Sequence, residues 1–180
     1  MQKIRNPLTV VNSSGGNKLV ELINGTLTEL TAQDLDGATQ IRVGAFENLE
    51  SLVSVEIPGN VKTISSNAFF ECSNLTALVL HEGVEEIGSY AFDRCGIREF
   101  VVPSTVNHVY HSICGRGYND KWKFTVKMLP VTPPQATLTS SIQDIFSPSA
   151  VEKIIVPVGS GNAYKTASGW KDLADLIVEG

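Results

Sequence analysis

The chain has 180 residues, of which 42% are hydrophobic and 18% are charged. This is enough apolar material for one domain with a continuous core, and it excludes a disordered chain. The net charge of -5 and the absence of any Lys/Arg cluster argue against a nucleic-acid partner, because phosphates are bound by basic surfaces. No apolar run approaches the roughly 18 residues of a membrane span, so we expect no insertion into a membrane.

Residues 1–17 are predicted to be a flexible leader. They end in a Ser/Gly-rich stretch at residues 13–16, which is typical of linkers. They lack the apolar region of a secretion signal, so the sequence itself carries no sign of export.

Residues 18–40 are predicted to form an N-terminal cap on a single domain that covers residues 18–180. Residues 18–30 have the pattern of a β-hairpin centred on Asn24-Gly25, because both central residues of a type I′ turn need a positive φ. The next five residues suit a helical turn with Thr31 as its N-cap. The hairpin and the turn would close the first coil of the domain.

Residues 41–114 contain a regular repeat with a period of 23 residues. An Ala-Phe dipeptide occurs three times at this spacing, each time with an isoleucine four residues earlier. The three copies are Ile41 with Ala45-Phe46, Ile64 with Ala68-Phe69, and Ile87 with Ala91-Phe92. Self-similarity at a fixed period of this length is the signature of a repeat architecture.

A second pattern lies between these blocks and places apolar residues at offsets 0, 3 and 5. Its copies are Leu52/Val55/Ile57, Leu75/Leu78/Leu80, Ile97/Phe100/Val102 and Val151/Ile154/Val156. Side chains at offsets 3 and 5 of a short strand point to one side, which we assign to the core. The pattern predicts parallel stacked strands, an opposite wall made by the Ile and Ala-Phe blocks, and a column of phenylalanines between the walls.

Residues 52–69 and 75–92, with the element Ala-Phe-x-x-Cys ending at Cys72 and Cys95, resemble the BspA-like leucine-rich repeats of bacterial surface proteins. The resemblance covers residues 35–114 best. Residues 115–180 are predicted to be irregular repeats and a C-terminal cap, in which residues 156–170 resemble the endings of such proteins from gut bacteria. The two ends of the chain also resemble, more loosely, those of small phage-related repeat proteins.

This resemblance implies an α/β-type, mostly β leucine-rich-repeat solenoid, with an N-terminal hairpin cap and a C-terminal cap bearing Tyr164 and Trp170 as a lid. It also implies a non-enzymatic protein- or glycan-binding module of the adhesin-like kind, placed outside the cell or on its surface. The alternative is a structural or self-assembling component of the phage-related type. We expect no cofactor, metal or nucleic acid.

The candidate binding face consists of strand residues that point away from the core. These are Ser54, Glu56, Ala77, Val79, Glu99, Val101, Lys153 and Ile155. An exposed apolar ladder edged by charges often marks an interaction site, and solenoids use extended surfaces for partners. The alternative is that β-branched residues stand there because they favour strands.

The histidines and cysteines are weaker candidates. His108, His111 and Cys114 have a spacing that suits a metal site or a Cys-His nucleophile, but Cys114 occupies the Phe69 position of the repeat and is expected in the core. The three cysteines are too few for full pairing and are expected to be buried thiols.

Aromatic and acidic residues outside the repeat core also have a simpler explanation than a site. Tyr110, Tyr118 and Trp122 surround the loop that ends the repeat, where packing of the junction is favoured over recognition. The carboxylate pairs, such as Glu85-Glu86, are expected to be solvated, and the glycine-rich stretches are expected to be turns.

Overall fold

The computed structural model describes the backbone of residues 8–12, 18–22, 27–115, 123–139 and 144–180, and the side chains of these ranges from residue 27 onward. Its elements are β1 (Leu8–Asn12), β2 (Lys18–Leu22), β3 (Glu29–Leu30), β4 (Gln40–Ile41), β5 (Ser54–Ile57), β6 (Thr63–Ile64), β7 (Ala77–Leu80), β8 (Glu86–Ile87), β9 (Glu99–Val102), β10 (His108–Tyr110), β11 (Phe124–Met128), β12 (Gln135–Thr137), β13 (Val151–Val156), α1 (Gly161–Thr166), a 3-10 helix (Lys171–Leu176) and β14 (Ile177–Glu179). Within the described ranges, no helix is long and apolar enough to cross a membrane.

One wall of the molecule is a seven-stranded sheet in the order β1-β2-β4-β6-β8-β10-β12. From β2 onward all of its strands pair in parallel, and the isoleucines of the repeat lie directly beside one another, Ile41 next to Ile64 and Ile64 next to Ile87. Val109 continues the row in β10. All four side chains are fully buried, so the Ile and Ala-Phe blocks form the wall that the sequence predicts.

The opposite wall consists of the strands with apolar residues at offsets 3 and 5. It is divided into a three-stranded sheet, β3-β5-β7, and a four-stranded sheet, β14-β13-β11-β9, and every pairing is parallel. The predicted solenoid of parallel stacked strands is therefore confirmed. One turn cannot bury its own apolar face, and stacking the turns produces the continuous core.

The two sheets of this wall meet at β7 and β9 without a hydrogen-bonded ladder, and we call this junction the seam. The repeat is one residue shorter there, because Leu75 and Ile97 are 22 residues apart whereas Leu52 and Leu75 are 23 apart. Leu78 and Leu80, predicted to be core residues, are only half-buried beside the seam. The missing ladder explains this, because β7 is the last strand of its sheet and has no paired strand on the β9 side to cover these side chains.

A column of aromatic side chains fills the space between the walls. The rings of Phe46, Phe69 and Phe92 stack face to face with centroids 5.0 and 5.1 Å apart. Cys114 takes the next place in the repeat, where it is too small to continue the stack. Phe100 reaches in from β9 instead, with its ring 5.5 Å from that of Phe92.

The three cysteines are buried and free, as the sequence predicts. The thiol of Cys72 donates to the carbonyl oxygen of Phe46 at 3.0 Å, and Cys95 makes the same bond to Phe69 at 3.1 Å. Each thiol thus ties its turn to the preceding phenylalanine. The Cys72 thiol and burial hold the pKa of Cys95 well above its ordinary value, so this sulfur is a packing group and a poor nucleophile.

The N-terminal cap differs from the expectation. The antiparallel partner of β2 is β1, which lies inside the predicted leader, and β3 belongs to the opposite wall and pairs in parallel with β5. The predicted pairing of β2 with the segment after it is therefore wrong, because β2 and β3 belong to different walls, and Asn24-Gly25 itself lies outside the described residues. The next turn forms as expected, because the Thr31 amide and hydroxyl both donate to the Asp34 carboxylate.

The C-terminal cap is built around a proline-rich segment, and the predicted lid is confirmed. Tyr164 in α1 and Trp170 before the 3-10 helix are fully buried. The Tyr164 hydroxyl donates to the Pro130 carbonyl at 2.8 Å, and the Trp170 indole donates to the Pro134 carbonyl at 2.9 Å. Burial raises the pKa of Tyr164, as expected for a neutral phenol that serves as a donor.

Two glycines allow successive turns to approach at the loops that follow β5 and β7. A Cβ at Gly59 would overlap the carbonyl oxygen of Glu82, and one at Gly83 would overlap that of Gly59. We expect Gly59→Ala to lower the free energy of unfolding by about 1–3 kcal/mol, because backbone must move to admit the methyl group. Urea denaturation measures this loss.

The matched control is Gly161→Ala in the first turn of α1. The nearest atoms there belong to the Glu179 side chain, whose carboxylate accepts from the Gly161 amide at 2.7 Å, rather than to backbone. This variant should cost less than Gly59→Ala, about 1 kcal/mol at most, because only a side chain moves and alanine favours a helix, while one hydrogen bond is lost. Equal losses in both variants would contradict a special role for the Gly59 approach.

Candidate binding face

The outward side of the divided wall presents two rows of side chains across its strands, and we call it the exposed face. In the first row the register aligns Glu29, Ser54 and Ala77 within one sheet, and Glu99, Thr125 and Lys153 within the other. The repeat relates the two halves, because Ala77 and Glu99 stand at the same offset of successive copies, 22 residues apart. In the second row it aligns Glu56 and Val79 within the first sheet, and Val101, Lys127, Ile155 and Val178 within the second. Val79 and Val101 are the equivalent positions on the two sides of the seam. The rows arise because alternate residues of each strand point outward.

The structure places all eight predicted residues on this face. Ala77, Glu99 and Lys153 are exposed, and Ser54, Glu56, Val101 and Ile155 are half-buried among their neighbours. Val79 is 50% exposed, which is a large fraction for an apolar side chain in a sheet. Their role in binding remains a prediction.

Four residues of the exposed face were missed in the sequence. They are Glu29, Thr125, Lys127 and Val178. The strand β11 has apolar Val126 and Met128 at offsets 3 and 5, but offset 0 is Lys123, so the repeat pattern fails there. Its plain alternation of apolar and polar residues was the signal that could have placed Thr125 and Lys127 on the face.

Charge is distributed unevenly along the exposed face. Within the two rows, the acidic residues Glu29, Glu56 and Glu99 lie on strands β3 to β9, and the basic residues Lys127 and Lys153 lie on β11 and β13. Glu152 is also exposed on β13 but has no register partner there, so it stands outside the rows. Glu56 accepts from the His81 ring at 2.8 Å. Neither lysine has an ion-pair partner in the part of the chain that the structure describes.

The acidic end of the exposed face contains a shallow depression of about 180 Å³. It is lined by Glu29, Leu30, Thr31, Ser54, Val55, Glu56, Ala77 and Val79. A second hollow, of about 400 Å³, lies between the loop after β9 and the proline-rich segment, and its lining carries no charged side chain. The first depression is too small to enclose more than part of a ligand, so the face suits contact over an extended surface.

The histidines and Cys114 do not converge. His108 bonds through Nε2 to the Thr137 hydroxyl at 2.8 Å, and its ring stacks on Tyr110. Burial lowers the pKa of His111 and raises that of Cys114, which disfavours a thiolate-imidazolium pair. No group of three or more His, Cys, Asp or Glu within the described residues is arranged to hold a metal ion.

The other weak candidates have ordinary surroundings or lie outside the described residues. Glu85 forms an exposed ion pair with Lys62 at 3.2 Å. Tyr118 and Trp122 lie in the part of the chain that the structure does not describe. The exposed face is therefore the candidate that the described geometry supports best.

Comparisons with known proteins find a matching family model and similar solved structures, two of which are given below. The model of the family described as "BspA type Leucine rich repeat region (6 copies)" matches residues 24–114. A leucine-rich repeat protein from T. pallidum superposes with a TM-score of 0.65 at 19% identity, covering 88% of this chain and 73% of its own. A leucine-rich repeat protein from Bacteroides ovatus gives a TM-score of 0.49 at 16% identity, and the match covers 67% of this chain and 30% of that protein's chain. No curated protein matches the chain.

Proposed function

The chain belongs to the BspA-type leucine-rich-repeat family, and on that premise we propose that it is a non-enzymatic, adhesin-like binding module whose exposed face takes a protein or glycan ligand at a cell surface. The observation that carries the proposal is the apolar part of the second row. Val79, Val101, Ile155 and Val178 stand on four strands of one wall, and Val79 and Val178 are 50% and 45% exposed. Water-exposed apolar groups on a rigid scaffold favour association.

The surroundings of this row support recognition by an extended surface. A polar row with hydroxyl groups, carboxylates and a lysine runs beside it. Interfaces combine an apolar centre with a polar rim that supplies hydrogen bonds. Repeat proteins bind their partners through such continuous surfaces, because neighbouring turns hold each strand in place.

The test is a solid-phase binding panel of glycans, matrix proteins and bacterial cells. We expect the wild type to bind a subset of the panel, and Val79→Lys/Val101→Glu to bind it at least about tenfold more weakly. Charges at the centre of an interface must be desolvated, and a tenfold loss corresponds to about 1.4 kcal/mol.

The matched control is Val43→Lys/Val53→Glu. Val43 and Val53 are 72% and 47% exposed but stand outside the two rows. The control should bind like the wild type, and both variants should keep the wild-type melting temperature. Equal binding by all three proteins would remove the exposed face as the site.

The alternative is a structural component that assembles with itself, as in phage-related repeat proteins. The separation of acidic and basic residues along the exposed face favours this version, because such a surface has a complement in its own copy. A wild-type protein that binds nothing in the panel but associates with itself would favour this alternative.

A further inference from the structure

We propose that the exposed face docks against the same face of a second copy of this chain, about a two-fold axis that runs parallel to the strands and passes over the seam. The inference rests on the proposed function in that it assigns a partner to the same face. The axis reverses the order of the strands, so β3 lies opposite the partner's β13, β5 opposite β11, and β7 opposite β9. A two-fold contact of this kind uses one patch on both copies and closes at a dimer.

The charges of the face are complementary in this arrangement. Glu29 lies opposite Lys153 in the first row, and Glu56 lies opposite Lys127 in the second row. The two-fold axis generates each contact twice, giving four ion pairs between the copies. The lysines have no ion-pair partner within the described part of a single copy, so the dimer supplies one.

The apolar residues at the centre match as well. Val79 lies opposite Val101, next to the axis, where the contact would remove the half-exposed Val79 side chain from water. The remaining positions bring Ser54 opposite Thr125 and Ala77 opposite Glu99. No two like charges meet anywhere in these rows, and like charges in contact are what disfavours a wrong docking geometry.

Other placements of the axis lose this match. An axis over β9 would set Glu99 against itself, and an axis over β7 would bring no acidic residue opposite a lysine. An axis perpendicular to the strands would place each strand opposite its own copy, where Glu56 meets Ser54 and Lys127 meets Thr125. The seam is thus the centre of the arrangement that best satisfies the charges.

The size of the face predicts a weak dimer. Six strands at about 4.8 Å spacing make a surface about 29 Å across and only four or so residues deep. The area that such a surface can bury is small for a specific interface, and interfaces of small area are typical of transient association. We therefore expect dimerisation to rise with protein concentration and to weaken with salt, since the ion pairs at the rim are screened.

The experiment is sedimentation velocity on the full chain from micromolar to millimolar concentration, with two charge variants. A basic variant, Glu29→Lys/Glu56→Lys, and an acidic variant, Lys127→Glu/Lys153→Glu, should each stay monomeric at concentrations where the wild type dimerises. An equimolar mixture of the two should form a heterodimer at least about tenfold tighter than the wild-type dimer, because all facing charges are then opposite. Unchanged melting temperatures would show that all chains are folded.

Failure of this inference is separable from failure of the proposed function. In Val79→Lys/Val101→Glu the two changed side chains face each other with opposite charge, so this variant should still dimerise while it loses the ligand. A wild type that stays monomeric throughout, charge variants that associate like the wild type, or a mixture that stays monomeric would each overturn the dimer and leave the binding panel untouched.

Discussion

Phe69→Ala is expected to lower the free energy of unfolding by about 3–5 kcal/mol and to unfold the chain as far as the neighbouring turns. The Phe69 ring is fully buried and is the middle of three stacked rings, so its removal leaves a cavity against both Phe46 and Phe92. The cost combines the lost transfer of an aromatic ring from water with the cavity that remains. Guanidinium denaturation followed by circular dichroism measures it.

Two controls distinguish the contribution of the stacked phenylalanine column from the general effect of removing an aromatic ring. Phe70→Ala removes the same group one residue later, where the half-buried ring meets Tyr90 edge-on and the Arg94 guanidinium. It should cost no more than about 1.5 kcal/mol. Phe69→Leu keeps most of the volume and should fall between the two alanine variants. A melting temperature that Phe69→Ala leaves unchanged would contradict the stacked core.

The regular part of the fold was predictable because the same packing requirements recur every 23 residues. The isoleucine row, the strands at offsets 3 and 5 and the phenylalanine column each follow from one residue type at one place in every turn. Each such position has the same packing neighbours in every copy, so the same residue type recurs there several times in the sequence. Tyr164 and Trp170 were placed by the resemblance of residues 156–170 to the endings of such repeat proteins, and the need to cover the last turn gives them their role.

The seam was not predictable from the same pattern. Loss of one residue before Ile97 could be absorbed by a loop or could shift the next strand, and only the three-dimensional stacking decides between them. The structure shows no ladder between β7 and β9 and leaves Leu78 and Leu80 half-buried, while the opposite wall stays in step because Ile87 pairs with Val109. The same region fills its core in another way, because Phe100 enters the aromatic column where Cys114 is too small.

Most of the exposed face could be located in the sequence, and its charge pattern could not. Lys127 was not predicted on the exposed face because β11 lacks the apolar residue at offset 0. Glu29 was not predicted there because its strand has only two residues. The opposition of acidic and basic ends depends on both of them. Pairing across the chain is a long-range property, which local periodicity cannot supply.

The N-terminal cap shows the same limit. Two stretches rich in turn residues flank β2, at residues 13–16 and at Asn24-Gly25, and each suits a hairpin. The structure pairs β2 with the upstream strand β1 and leads the chain downstream to the other wall. The first turn of the solenoid determines which flanking stretch forms the hairpin with β2, because β3 pairs with β5 in the other wall and is not free to pair with β2.

Trp170→Ala is expected to remove the C-terminal cap and to cost about 3–5 kcal/mol. The indole is fully buried, lies edge-on to Phe146 and Tyr164, and donates to the carbonyl of Pro134. The substitution thus opens a large cavity and leaves a buried acceptor without its donor. Trp170→Phe keeps most of the ring and loses the bond, so it should cost about half as much.

The loss in Trp170→Ala should appear first at the end of the array and not uniformly. In a solenoid each turn is held mainly by its neighbours, so an uncovered last turn opens before the others. Amide hydrogen exchange should therefore accelerate in β13 and β14 while β6 and β8 keep their protection. In Phe69→Ala the order should reverse, with early exchange in the middle strands. Uniform acceleration in both variants would mean that the chain unfolds as one unit and that the cap is no more than another part of the core.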